Sequence, residues 1–235
     1  MKDIIGQALL DYYHGNYSED ILTETNISEE DELPLPYLFR SYDEMPPIEQ
    51  KALELAKGKV LDVGCGAGGH SLYLQEKDFD VMGIDTSKGA IEVCKLRGLQ
   101  NAKRIDLLDL KSDKFDTILL LMNGTGIFQT LDKTSEYLRH LKSLLNPNGQ
   151  ILIDSSDLRY MYDSYEDGGI LVPADSYYGE LEFTISYKGM QSEPFDWLYL
   201  DEDLFETICT ANNLNFEVLA RGSNFDYLAK ITKEK

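Results

Sequence analysis

Short apolar runs alternate with helix-like stretches from residue 58 to residue 154. The run Phe115–Met122 is apolar almost throughout, as expected of a strand buried on both faces. Strands that alternate with helices indicate a parallel sheet covered on both sides. Residues His70–Gln75 are predicted to form the start of a helix. Two further helices are predicted over Lys88–Arg97 and Thr134–Leu145. The predicted strands are Lys59–Val63, Asp80–Ile84, Ala102–Leu107, Phe115–Met122 and Ile151–Ile153, the last preceded by a turn at Asn146–Gly149.

Both flanks of this unit carry patterns of their own. Helices are predicted over Lys2–Tyr13 and Pro47–Lys57, and we expect residues 1–57 to form a helical lid or cap on a main domain of residues 58–235. Between residues 155 and 200 lies a tyrosine-rich insert with a strand around Glu180–Tyr187. A helix capped by Asp201 runs to about Ala211. The closing strands Phe216–Ala220 and Tyr227–Ile231 are close enough in sequence to pair as a hairpin.

Composition narrows the classes of partner. The chain has 235 residues, 43% of them hydrophobic, which fits one domain with an ordinary core. Its formal net charge is -20, so phosphate backbones and anionic lipid surfaces are repelled at long range. No apolar run approaches a membrane span, and no cleavage site follows the first residues, so a cytoplasmic protein is expected. The three cysteines match no metal-ligand spacing, so no metal is expected.

The stretch VLDVGCGAGGHSLYL, residues 60–74, is a strand that leads through glycines into a helix. Such a turn brings backbone N–H groups against a ligand. Two templates fit: Gly64, Gly66 and Gly69 match G-x-G-x-x-G, whereas Gly64, Gly66 and Gly68 match G-x-G-x-G. Both templates place an acid at the end of the second strand to hold ribose hydroxyls, and Asp85 stands there.

The wider context resembles the class I S-adenosylmethionine-dependent methyltransferases. The residues VLDVGCGAG are similar to the first motif of that family, and Gly83-Ile84-Asp85, Phe115-Asp116 and Pro147–Gln150 follow in its order. The resemblance implies an α/β, doubly wound, mostly parallel seven-stranded sheet with a C-terminal antiparallel hairpin, and S-adenosylmethionine as cofactor. Asp62 supports it, because a carboxylate suits the ammonium group of that cofactor and repels a pyrophosphate. A nicotinamide-dependent oxidoreductase and a cofactor-binding protein without catalysis are the alternatives.

The same resemblance implies roles for individual residues. Gly64, Gly66 and Gly68 would let the loop approach the methionine portion, with Cys65 as a small filler, and Asp62 would meet its ammonium group. Asp85, followed by Thr86, would accept both ribose hydroxyls. Asp106 would meet the adenine amine while Leu107 packs against the ring, although Asp109 competes with Asp106. The implied cofactor-binding residues are thus Asp62, Gly64, Cys65, Gly66, Gly68, Asp85, Thr86, Asp106, Leu107 and Asn123.

The acceptor is predicted to be a small molecule. Some amino-group methyltransferases carry Asn or Asp followed by Pro-Pro and an aromatic residue, whereas Asn123 is followed by Gly124-Thr125-Gly126. This departure and the acidic charge argue against DNA, RNA or membrane lipid as the acceptor. Ligands of open α/β sheets bind beyond the carboxyl ends of the strands. The candidates for catalysis are His14, Asn123 and Asp154, and those for substrate contact are Tyr13, Tyr37 and Arg40.

Overall fold

The secondary structure follows the predicted alternation through the middle of the chain. A computed structural model describes residues 2–111, 113–162, 171–173 and 176–234. Its helices are α1 (Ile4–Tyr13), α2 (Leu35–Leu38), α3 (Pro47–Leu55), α4 (Gly69–Glu76), α5 (Lys88–Leu96), α6 (Thr134–Leu144) and α7 (Glu202–Ala211). Its strands are β1 (Ile21–Thr25), β2 (Asp31–Leu33), β3 (Val60–Val63), β4 (Val81–Asp85), β5 (Ala102–Arg104), β6 (Phe115–Leu120), β7 (Leu145–Ser156), β8 (Glu180–Tyr187), β9 (Met190–Gln191), β10 (Phe195–Leu198), β11 (Leu214–Arg221) and β12 (Asp226–Lys233).

The main sheet has seven strands in the order β11-β12-β7-β6-β3-β4-β5. Strands β3 to β7 are parallel, and β12 runs antiparallel between β7 and β11. This arrangement confirms the predicted α/β class with its terminal hairpin. From β3 the chain adds strands on one side and then returns to add β6 and β7 on the other. A crevice therefore opens between the carboxyl ends of β3 and β6, where such sheets bind ligands.

The apolar run in β6 feeds two cores. Ile118 and Leu120 pack on the face covered by α6 and α7, whereas Leu119 and Leu121 pack on the face covered by α3. Side chains of a strand alternate between faces, so a strand covered on both sides needs an apolar residue at every position. The burial of β6 on both faces thus explains why its sequence is apolar almost throughout.

The turn predicted at Asn146–Gly149 lies inside a strand. Leu145 pairs with Phe115, and Gln150 pairs with Thr117, so residues 146–149 lie opposite Asp116 alone. The side chain of Asn146 donates to the Asp116 carboxylate over 2.8 Å. The turn-forming residues therefore build a bulge at the start of β7 rather than a break before it. This is why β7 begins at Leu145 and not at Ile151.

Helix α1 is docked tightly on α5. Asp3 caps α1 by accepting from the Gly6 N–H over 3.0 Å, and it also accepts from the Gly89 N–H over 2.8 Å. A Cβ placed on Gly89 would lie 2.4 Å from the Gly6 carbonyl oxygen, so only glycine permits this approach. The capping role of Asp3 explains why the helix begins at Ile4 rather than at Lys2.

A second, antiparallel sheet, here called the roof sheet, has the order β10-β8-β1-β2, with β9 paired to β8. It joins the N-terminal region to the insert, because Thr25 pairs with Phe183 in β8. Its inner face carries Ile185 and Tyr187, which pack against α1 and the glycine loop. Its outer face carries exposed acids, namely Glu24, Glu182 and Asp196. Besides the predicted helices, residues 1–57 thus contain a hairpin that the sequence analysis did not identify.

The segment 163–170, which includes Tyr165, lies outside the described residues. Over the described ranges, no helix is both long and apolar enough to cross a membrane. Across the same residues, no group of three or more His, Cys, Asp or Glu side chains is arranged to hold a metal ion.

Candidate cofactor and acceptor site

The backbone of the glycine loop selects between the two glycine templates. Gly64, Gly66 and Gly68 have φ angles of +72°, +51° and +85°, a region that favours glycine, whereas Gly69 does not. Gly68 caps α4, and Gly69 is its first residue. The conformation therefore requires the G-x-G-x-G spacing, and the fourth glycine is part of the helix.

The surface of this loop is open to a ligand. A Cβ on Gly66 would meet only the Gly64 carbonyl oxygen, at 4.0 Å, and a Cβ on Gly64 would meet the Ile127 side chain at 3.3 Å. On its other side the loop is held down, since Gly64 and Cys65 both donate backbone N–H groups to the Ile84 carbonyl. The residues present fit a ligand that must come close to the main chain.

Asp85 links this loop to the next one. Its Oδ2 accepts from the Gly66 N–H over 3.0 Å, and its Oδ1 accepts from the Ser87 N–H over 2.8 Å. Burial raises the pKa of this carboxyl group above its ordinary value. Each oxygen keeps a further lone pair, so the half-buried carboxylate can still accept two hydroxyl hydrogens. Ser87 caps α5, and Thr86 is exposed with its carbonyl bound to Arg104.

The predicted adenine end lies next to Asp85. The Ile105 N–H donates to the Asp85 carbonyl, which brings the residues after β5 to the same edge of the sheet. Asp106 follows directly; it is exposed and accepts from the Leu108 N–H over 2.9 Å. Leu107 is buried in the main core. This adjacency favours Asp106 over Asp109 as the group that faces a ligand.

Asp62 and Cys65 lie beneath the loop. Asp62 is buried in β3, where its Oδ2 accepts from the Ser71 hydroxyl on α4 over 2.6 Å, and burial raises its pKa. The Cys65 sulfur lies 3.8 Å from the Cys94 sulfur, and both thiols are buried. The Cys94 hydrogen bond and burial raise the pKa of Cys65, which keeps this thiol protonated and unreactive.

A buried ionic network joins the N-terminal segment to α4. Glu49 on α3 accepts from Arg40 over 2.6 and 2.5 Å and from His70 Nε2 over 2.7 Å. Burial opposes ionisation of Glu49, but these two partners outweigh it and hold its pKa below the ordinary value. For His70, burial is outweighed by the bond to Glu49 and the charge of Asp62, so its pKa is raised. No local sequence pattern indicates this network, because its members are far apart in the chain.

Tyr37 and Arg40 lie together at the edge of this network. The Arg40 guanidinium lies 3.9 Å from the centre of the Tyr37 ring and also donates to the Tyr37 carbonyl. Arg40 is buried, and among the described residues its Nε has no hydrogen-bond partner. Burial raises the pKa of Tyr37, and it outweighs the Arg40 charge, which lowers this pKa. Tyr37 thus lies against the buried network through Arg40.

Two hydrogen-bond acceptors stand at the ends of β6 and β7. Asn123 has left-handed backbone angles, φ 61° and ψ 59°, a strained conformation of the kind that clusters at functional sites. Its Oδ1 is buried and has no partner within the described part of the chain. Asp154 is 6% exposed, its Oδ1 accepts from the Gly124 N–H over 2.8 Å, and burial raises its pKa to about 6.

The end of β10 is fastened over these groups. The Leu198 carbonyl accepts from the Thr125 hydroxyl over 2.9 Å, and the Leu200 N–H donates to the Ser155 hydroxyl over 2.8 Å. A Cβ on Gly126 would lie 1.9 Å from the Trp197 ring, so glycine admits the indole there. Phe183, Trp197 and Tyr199 form what we call the aromatic wall, with ring centres of neighbours 6.3 to 6.5 Å apart.

The structure does not bring Tyr13 and His14 to this site. Both are exposed at the C-terminal end of α1, where the Tyr13 hydroxyl donates to the Leu96 carbonyl at the far end of α5. The His14 ring packs against Tyr13. The site residues lie at the other end of α5, next to Ser87. We therefore leave Tyr13 and His14 out of the proposed site.

Comparisons with known proteins agree with this geometry. A family model described as a methyltransferase domain matches residues 55–215. The crystal structure of an S-adenosylmethionine-dependent methyltransferase from Bacteroides fragilis, in complex with S-adenosyl-L-homocysteine, is 42% identical. The match covers 100% of this chain and 96% of that one, with a TM-score of 0.93. This chain belongs to the S-adenosylmethionine-dependent methyltransferases. The predictions of family, fold class and cofactor are confirmed, and the nicotinamide alternative is set aside.

More distant relatives share a smaller part of this methyltransferase. The ubiquinone biosynthesis O-methyltransferase of Rickettsia conorii is 25% identical over 113 residues, which are 46% of this chain and 38% of that protein. Phosphoethanolamine N-methyltransferase 3 of Arabidopsis thaliana is 35% identical over 107 residues, 43% of this chain and 22% of that protein. The chain thus spans less than half the length of these curated relatives. One of them methylates oxygen and the other nitrogen by name, so the names leave the acceptor atom open.

Proposed function

We propose that this methyltransferase transfers the methyl group of S-adenosylmethionine to a small-molecule acceptor held beneath the roof sheet. The observation that carries the proposal is the pair of buried acceptors, Asn123 Oδ1 and the Asp154 carboxylate, at the strand ends beside the glycine loop. The aromatic wall stands over them. A site of this kind, apolar with a few convergent polar groups, is what small ligands fill.

The cofactor is assigned to the crevice between β3 and β6. The open surface at Gly66 accommodates its methionine portion, and Asp85 accepts the ribose hydroxyls. Asp106 faces the adenine amine. When bound, the cofactor supplies a sulfonium methyl group, which is already a strong electrophile. Arg40 is engaged by Glu49 and the Tyr37 carbonyl, so we assign it to positioning the segment around Tyr37 rather than to contact with the acceptor.

The protein's own contribution is orientation and proton transfer. Asn123 and Asp154 hold the acceptor atom by its hydrogens, and Asp154 takes a proton where the acceptor must lose one. We assign to the aromatic wall the exclusion of water from the reacting atoms. Holding two reactants in line is worth on the order of 7–11 kcal/mol of the barrier. Such positioning explains how a site without a metal-ligand cluster in its described residues can accelerate the reaction.

The acceptor is assigned as a small molecule and not as nucleic acid or a lipid surface. The net charge of -20 and the exposed acids on the outer face of the roof sheet disfavour polyanions. The roof sheet is also joined closely to the strand ends next to Asn123, because the Leu198 carbonyl and the Leu200 N–H are hydrogen-bonded directly to Thr125 and Ser155. A cytoplasmic location remains our expectation.

Calorimetric titration with S-adenosylhomocysteine tests the cofactor site. Asp85→Ala removes charge-assisted hydrogen bonds worth roughly 1.5–3 kcal/mol, so Kd should rise about tenfold to a hundredfold. Asp116→Ala is the matched control, because Asp116 also accepts a backbone N–H, from Lys59, but does so at the opposite edge of the sheet. Equal affinity in the two variants would remove Asp85 from the site. Methyl incorporation from the labelled cofactor then separates an enzyme from a binding protein without catalysis.

A further inference from the structure

Resting on the proposed function, we infer that the acceptor is a primary or secondary amine. Its N–H groups lie against Asn123 Oδ1 and Asp154, and its positive charge faces the aromatic wall.

The strand ends offer acceptors that lack donors. The Asn123 Nδ2 group points to the Leu198 carbonyl at 3.5 Å, and this fixes Oδ1 as the remaining, unpartnered atom. The Gly124 N–H, one residue further, binds Asp154, so Asn123 and Asp154 belong to neighbouring strand ends that are joined directly. Two such acceptors are satisfied together by a group with two N–H bonds. A hydroxyl has one hydrogen and would leave one buried acceptor unpaired, which is costly.

The surroundings favour a cation. Phe183, Trp197 and Tyr199 are half-buried. Trp197 in β10 and Phe183 in the neighbouring strand β8 lie on one face of the roof sheet, and the ring of Tyr199, just after β10, stacks near Phe183. Burial, then the charges of Tyr160 and Asp154, raise the pKa of Tyr199 to about 12, so its phenol stays neutral. Aromatic faces attract an ammonium group, and the attraction is larger in a desolvated site.

Among the described residues, no side-chain cation is hydrogen-bonded to Asp154. Arg40 is bound to Glu49, and His70 is bound to the same Glu49 carboxylate, so both positive groups are already paired. Within this described part of the chain, Asp154 accepts from backbone N–H groups, that of Gly124 among them. A buried carboxylate without a counter-charge is unfavourable, and an incoming ammonium group supplies that charge.

The transfer balances in atoms and charge. The bound ammonium gives one proton to the Asp154 carboxylate, which frees the lone pair on nitrogen. That pair forms the N–C bond to the methyl carbon as the S–C bonding pair returns to sulfur. The products are an N-methylammonium ion and the neutral thioether, and the Asp154 proton then passes to solvent. One positive charge in total is present before and after the step.

Trp197 is the single tryptophan of the sequence, so it reports ligands at the wall. The experiment follows its fluorescence in the protein saturated with S-adenosylhomocysteine, while benzylamine, cyclohexylamine, benzyl alcohol and cyclohexanol are titrated separately. We expect each amine to bind about tenfold or more tightly than its alcohol, a difference of about 1.4 kcal/mol. Asp154→Asn should abolish the preference. Asp157→Asn, which changes a nearby carboxylate already bound to Arg159, should keep it.

Equal binding of amines and alcohols, a preference that survives in Asp154→Asn, or no saturable amine response would each overturn the inference. The calorimetric titration with S-adenosylhomocysteine separates this failure from failure of the proposed function. If the cofactor product binds and the amines show no preference, the acceptor class is wrong and the methyltransferase site stands. If the cofactor product does not bind, the proposed site itself is wrong.

Discussion

Replacing Asp154 by asparagine should stabilise the protein while removing methyl transfer. Burial raises the pKa of this carboxyl group from 3.8 to about 6. A shift of about 2 units corresponds to roughly 3 kcal/mol by which the ionised carboxylate disfavours the folded state. Asparagine keeps an oxygen for the Gly124 N–H and carries no charge. With part of the penalty relieved by relaxation in the wild type, we expect a gain of about 1–3 kcal/mol.

The direction in which the stability of the wild type changes with pH follows from the raised pKa of Asp154. Because the folded pKa is the higher one, the folded state binds more protons than the unfolded chain between the two values. Wild-type stability therefore falls as pH rises through about 4 to 6, and the full penalty is present above the folded pKa. The gain in Asp154→Asn should be complete near pH 8 and reduced to roughly half near pH 5.

Thermal unfolding at the two pH values measures this effect. For a chain of this size, 1 kcal/mol shifts Tm by about 2–4 °C. Asp157→Asn is the control, because the hydrogen bonds and charge of Arg159 outweigh burial and lower the pKa of Asp157, so its loss should not stabilise. A lower Tm for Asp154→Asn near pH 8, or a gain in Tm that does not depend on pH, would refute the explanation that ionised Asp154 destabilises the folded state.

Two further predictions concern the N-terminal segment. Hydrogen exchange of backbone amides in residues 1–45 should slow when S-adenosylhomocysteine is added, because this segment packs on the glycine loop through α1 and Arg40. Equal exchange with and without this ligand would contradict the prediction that the segment is a lid. Glu49→Ala should destabilise the fold by about 3–5 kcal/mol, since it leaves Arg40 buried without its partner, whereas Glu54→Ala on the same helix should have little effect. Urea unfolding compares the two variants, and a similar small loss in both would show that the buried network contributes little.

The cofactor half of the site could be predicted from the sequence because its determinants are local. Gly64, Gly66 and Gly68 fall within five residues, and their spacing alone reports a turn with positive φ angles. Asp85 ends the very next strand, so its place at the same edge of the sheet follows from parallel pairing. A short stretch of chain thus indicates a glycine turn with an acid beside it, whereas the choice between the two cofactors needed Asp62 and the motifs that follow.

The acceptor half could not be predicted in this way, because its geometry is set by pairing between distant segments. Thr25 meets Phe183 in the roof sheet. Trp197 is held in place by hydrogen bonds between the chain that follows it and the hydroxyls of Thr125 and Ser155, and no local pattern indicates these bonds. The same reason explains why His14 lies away from the proposed site. Its place at the end of an N-terminal helix made it a candidate base, but the position of that helix is fixed by the Gly6–Gly89 approach, which directs its last residues away from Asn123.

This division has a physical consequence for the family. A cofactor site built from local turns tolerates changes elsewhere, whereas an acceptor site built across the roof sheet changes whenever the pairing of β1, β8 and β10 changes. Substitutions on the inner face of the roof sheet should therefore alter which acceptor is methylated without weakening the binding of the cofactor. Gly126 is the sharpest position for such a change, because any side chain there would displace the Trp197 ring.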